Sequence, residues 1–131
     1  MLLTDKRTED YNILAEQVIK FAKKSGYHDI KADFSGYTSP ASISMVSNDM
    51  TLTPDFTARR GEGKYYFELV VKSGKEEDQN TLISKWKVLE SMARMKGGCL
   101  RLFVPRGSYK FATELMQNHH IEAELTKLED L

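Results

Sequence analysis

The chain has 131 residues, 40% of them hydrophobic and 29% charged, and its nineteen basic and nineteen acidic side chains cancel. This composition describes one soluble globular domain spanning 1-131, with enough apolar material for a core and no apolar run near the ~20 residues of a membrane span. One cysteine, Cys99, excludes an internal disulfide framework, and the N-terminal stretch MLLTDKRTEDY is too acidic and its apolar run too short for a signal peptide, so a cytoplasmic protein is expected.

Residues 8–25 are predicted as a helix, because Tyr11, Leu14, Ala15, Val18, Phe21 and Ala22 recur at helical spacing and Gly26 closes the run. His28 to Phe34 alternates as a first strand. The Ser, Thr, Gly and Pro content from Ser35 to Asn48 reads as a long loop with at most one irregular turn. Next come two strand-like arms, Pro54 to Arg60 and Lys64 to Lys72, flanking Gly61-Glu62-Gly63, which together predict a β-hairpin. Glu76 to Met95 is the clearest helix, with Leu82, Trp86, Leu89, Met92 and Ala93 on one stripe, acids in its first turn and Gly97-Gly98 at its end. A buried strand from Cys99 to Val104, a helix from Tyr109 to Asn118 and a last strand near Ile121 to Leu125 complete the order α-β-β-β-α-β-α-β. The first three strands are expected as antiparallel neighbours, and the crossover helix implies a parallel fourth.

The hairpin carries the chemistry. Side chains alternate across a strand, so Phe56, Phe67 and Leu69 share one apolar face while Asp55, Glu68 and Lys72 share the other. The apolar face is expected to pack under helix 76–95, bringing Phe67 to Leu82, Trp86 and Leu89. Two acids and a lysine on one face suit metal-dependent phosphodiester hydrolysis, in which carboxylates hold a hard divalent cation and the lysine orients a water. Register stays open: a Glu62-Gly63 loop sets Asp55 opposite Val70, and a shift of two sets it opposite Glu68.

This pattern resembles the PD-(D/E)xK nuclease superfamily, including its Holliday-junction-resolvase-like and RecB-like nuclease domains. The resemblance is carried by Pro54-Asp55, by the strand FELVVK ending in Lys72, and by the order of elements along most of the chain. It implies an α/β fold with a three-layer restriction-endonuclease-like core and a mixed sheet of about five strands. It further implies a nuclease that hydrolyses DNA with Mg²⁺ or Mn²⁺ held by Asp55 and Glu68, with Lys72 at the attacking water, and members of this size often dimerise. Gln79 matches the glutamine that RecB-like members place at the start of this helix, and is the fourth candidate site residue. The family's second acid stands two residues before the lysine, where this chain has Val70; Glu68 lies one step further back on the same face. Two readings follow, an active nuclease with a migrated acid or a non-catalytic relative that binds nucleic acid or protein; a third, an α/β domain unrelated to nucleases, stays open because fold does not fix function.

Other polar residues add less. From Arg59 to Lys110 there are twelve basic and six acidic residues, an excess of +6 over the candidate site that suits a phosphate backbone. Lys85 on the long helix can meet a phosphate or water, and Arg106 and Ser108 stand where a helix start can take an anion. Glu16, near the position of a resolvase-like glutamate, falls opposite the apolar stripe of its helix and is not carried over. A strand-face carboxylate is expected to add little to packing, so Glu68→Ala should leave the fold intact.

Overall fold

A computed structural model describes residues 9–34, 36–45, 50–70 and 76–131, with the side chains of 9–10, 45, 50 and 76–77 outside that description. The elements are α1 (Glu9–Lys24), β1 (His28–Ala32), β2 (Ile43–Met45), β3 (Met50–Leu52), β4 (Phe56–Arg60), β5 (Gly63–Leu69), α2 (Glu76–Met95), β6 (Leu100–Val104), α3 (Tyr109–Asn118), β7 (Glu124–Lys127) and a 3₁₀ turn at Leu128–Asp130. A mixed five-stranded sheet runs β1-β4-β5-β6-β7, antiparallel through β5 and parallel from β5 to β7. The fold is α/β, and its main-sheet elements follow the expected order. No helix among the described residues is long and apolar enough to cross a membrane.

Helices cover both faces of the sheet. Tyr11, Ala15, Val18, Ile19 and Ala22 form the buried stripe of α1 and pack with Phe56, Ala58, Phe67, Leu69 and Phe103. Phe67 meets Phe103 and Tyr27 edge-on, with ring centroids 5.2 and 5.1 Å apart. On the opposite face, Trp86, Leu89 and Ala93 of α2 join Ala112 and Leu115 of α3 over Tyr66, Val70, Leu100, Leu102 and Val104. The expected pairing of Phe67 with Trp86 is therefore wrong. Strand alternation is as predicted, but it separates two faces without saying which helix lies on which. Here α2 covers the face that carries the acids.

Backbone contact fixes where the end of α2 lies. The segment that follows it rests on the start of β5: the Lys64 N–H donates to the Lys96 carbonyl at 3.1 Å and the Tyr66 N–H to the Cys99 carbonyl at 3.2 Å. A Cβ at Gly98 would fall 1.9 Å from the Lys64 carbonyl oxygen, so only glycine permits this approach.

Several boundaries move from expectation, and two of the shifts bear on the layout. The 35–48 segment contains β2, which pairs with β3 as a separate two-stranded sheet rather than forming a loop throughout. Its register sets Ile43 opposite Leu52 and Met45 opposite Met50. The last strand starts at Glu124 rather than Ile121, because the Ile121 N–H closes a turn onto the Met116 carbonyl and its side chain enters the α2/α3 core.

Trp86 is fully buried, and its indole N–H has no hydrogen-bond acceptor among the described residues. Trp86→Ala is expected to cost ~3–5 kcal/mol in urea unfolding. Trp86→Phe, which sacrifices no hydrogen bond, should cost clearly less; an equal cost for both would show that the indole volume is not what the core needs.

Candidate metal-binding active site

Hairpin register decides the site. Phe56 pairs with Phe67 and Arg60 with Gly63, leaving Gly61 and Glu62 as a two-residue loop. Gly61 has φ +60°, the conformation that a tight hairpin turn asks of glycine at its first central position. One step beyond Phe56–Phe67, this register sets Asp55 beside Glu68. Of the two registers left open by the sequence, it is the one that joins the acids.

The two carboxylates are fixed reciprocally across the strands. The Asp55 N–H donates to Glu68 Oε2 at 2.8 Å, and the Leu69 N–H donates to Asp55 Oδ2 at 3.0 Å. The other oxygen of each turns towards α2, where Lys85 Nζ stands 3.0 Å from Glu68 Oε1 and 3.7 Å from Asp55 Oδ1. Glu68 is 1% exposed and Asp55 5%, so the acids lie under α2 rather than along an open groove. Burial pushes the Lys85 amine down, but Glu68 and then Asp55 more than offset this and hold it well above the ordinary lysine value. The amine is therefore charged throughout the neutral and mildly alkaline range.

Lys85, expected to meet a phosphate or water, instead pairs with the two acids, and the sequence held a signal of this. At 100° per residue Lys85 lies about 60° from Leu82 and about 40° from Leu89, inside the apolar arc of the helix. A lone cation there needs a buried anion opposite. Asp33 was missed: its N–H donates to the Asp55 carbonyl at 3.1 Å, extending the β1–β4 pairing so that a third acid adjoins Asp55 along the backbone.

The remaining candidates divide. Gln79 is half-buried in the first turn of α2, at helical spacing with Leu82, Trp86 and Leu89 on the sheet-facing stripe. Lys72 lies outside the described residues. Val70, in the family's usual acid position, is 1% exposed and packs in the α2/α3 core. Glu16 is exposed, as the helical wheel predicts; Arg106 is exposed and Ser108 buried ahead of α3. Part of the basic excess lies away from the acids. Lys64, whose amine is pushed down by burial and then by Lys96, Lys31 and Arg59, marks a cation group at the hairpin tip. Arg59 is four residues from Asp55, roughly 13 Å along the strand.

The donor set fits a hard divalent cation. Two carboxylate oxygens from adjacent strands already face one positive centre, and Mg²⁺ asks for one or two carboxylates with water completing its shell. Among the described residues no group of three or more His, Cys, Asp or Glu is arranged to hold a metal. Compared with protein-family models, characterised proteins and solved structures, the chain matches none.

Burial overturns the expectation that Glu68→Ala is harmless to the fold. The substitution removes the acceptor of the Asp55 N–H and leaves Lys85 facing Asp55 alone. Breaking such a buried arrangement is expected to cost about 3–5 kcal/mol. A urea midpoint for Glu68→Ala close to wild type would contradict the packing described.

Proposed function

We propose that this protein is a divalent-metal-dependent nuclease that hydrolyses phosphodiester bonds in nucleic acid, with DNA the expected substrate. One observation carries the reading: Asp55 and Glu68 are buried together, each pinned by the backbone of the other strand, with their other oxygens both facing the Lys85 amine. A fold gains little from such a set, since apolar residues of similar volume at a buried ion pair are often neutral or stabilising. Carboxylates held against that cost are candidates for chemistry. The mixed sheet, with three antiparallel strands leading into parallel ones and helices on both faces, supports a restriction-endonuclease-like layering.

In this reading Asp55 and Glu68 would hold Mg²⁺ or Mn²⁺, and the bonds from the Leu69 and Asp55 amides keep their carboxylates oriented. A bound divalent ion would supply charge stabilisation at the phosphate and a more acidic water. Lys72, two residues beyond Val70, is assigned to orienting the attacking water. Gln79, in the α2 first turn, is assigned to the metal side of the site.

A second reading, a non-catalytic relative that binds nucleic acid or protein, is favoured by Val70. It fills the usual acid position and is part of the core. Cleavage assays separate the two, run with Mg²⁺ or Mn²⁺ over linear duplex, single-stranded and branched DNA and RNA. The nuclease reading predicts cleavage abolished by chelator and reduced by more than about 100-fold in Asp55→Ala, beyond what loss of a merely supporting group costs. Wild type inert on every substrate would favour the second reading, and there Val70→Glu should create divalent-ion binding. Cleavage that survives both Asp55→Ala and Glu68→Ala would sink the assignment.

A further inference from the structure

Lys85 sits where the proposed metal belongs. Its Nζ faces Glu68 Oε1 and Asp55 Oδ1, the two oxygens not committed to strand amides. We infer that Lys85 is an internal cation that competes with the divalent ion for these oxygens, so that the metal binds only as the lysine withdraws. The inference rests on the metal-binding part of the reading above and not on cleavage.

Three observations support it. First, the carboxylates are nearly inaccessible, and two buried negative charges without a cation are strongly unfavourable. Lys85 is a cation that makes the metal-free state tolerable. Second, an ammonium and a divalent ion on the same two oxygens would be like charges a few ångströms apart in a poorly screened interior, so occupancy is mutually exclusive. Third, Lys85 can leave without disturbing the helix. Its side chain is 14% exposed, and its stem is four flexible carbons, unlike the fully buried Trp86 next to it. A change of rotamer moves the amine while Trp86, Leu89 and Ala93 keep α2 on the sheet. The lysine thus sets a metal concentration below which the site rests closed by its own side chain.

The competition is tested by Mn²⁺ titration calorimetry and thermal unfolding of wild type, Lys85→Met and Lys85→Arg. Lys85→Met, which keeps volume and loses charge, should melt below wild type without metal. It should bind Mn²⁺ on the order of tenfold more tightly, within the usual range of a coupling between two ligands, and gain more thermal stability from it. Lys85→Arg should keep weak binding. Equal Mn²⁺ affinity in wild type and Lys85→Met overturns the inference even if wild type cleaves DNA, in which case the nuclease reading stands. Tighter binding by Lys85→Met with no cleavage by any form supports it and removes the nuclease. If Lys85→Met does not fold, lysine side-chain NMR of wild type decides. The Lys85 ε-methylene signal should move towards that of solvated lysine as Mg²⁺ saturates the protein, and a signal unchanged at saturation overturns the inference.

Discussion

The reciprocal bonds between Asp55 and Glu68 are the constraint on which the rest of the molecule turns. Each carboxylate accepts an amide from the opposite strand, so the acids help define the register that brings them together. A slip of one residue would exchange the faces of a strand, turning Asp55 towards α1 and Phe56 towards α2. The apolar sets on the two faces, Phe56 and Phe67 against α1, Tyr66 and Val70 against α2, oppose that slip. Packing and electrostatics specify one hairpin.

Placement of α2 follows from the same strands. Gly98 lets the end of the helix rest on the β5 backbone at Lys64, and Trp86 fixes its middle against the sheet. Between the Trp86 anchor and the start of the helix lies Lys85, delivered to the acid pair as a consequence of where the apolar stripe must go. The site is therefore not appended to the core; it is a polar inclusion within it. Its three charges depend on the packing around them, and the packing tolerates them because each carboxylate is hydrogen-bonded and faces a cation.

Much of this was legible in the chain. Helix 109–118 and the end of helix 76–95 agree with the structure, because apolar periodicity and Gly97-Gly98 punctuate them. Alternation along the hairpin correctly put Asp55 and Glu68 on one face. It failed to show that this face is covered, although the sequence from Lys64 to Val71, KYYFELVV, is a nearly continuous apolar run of the kind that marks a strand buried on both sides. Treating Tyr66 and Val70 as incidental made Glu68 look solvated and sent α2 to the wrong side. Lys85 was misread for the same reason: a cation within an apolar arc is informative only once the face opposite is known to hold acids. The β2–β3 pair was missed because three-residue strands are too short for periodicity to outweigh the surrounding Ser, Thr and Pro.

Whether the buried pair is a metal centre or a structural ion pair is answered most directly by crystals grown with Mn²⁺ and its anomalous scattering. The account predicts one anomalous peak at bonding distance from Asp55 Oδ1 and Glu68 Oε1, with the Lys85 amine withdrawn from both. A map at saturating Mn²⁺ with no peak there, and Lys85 still seated between the two carboxylates, would contradict it.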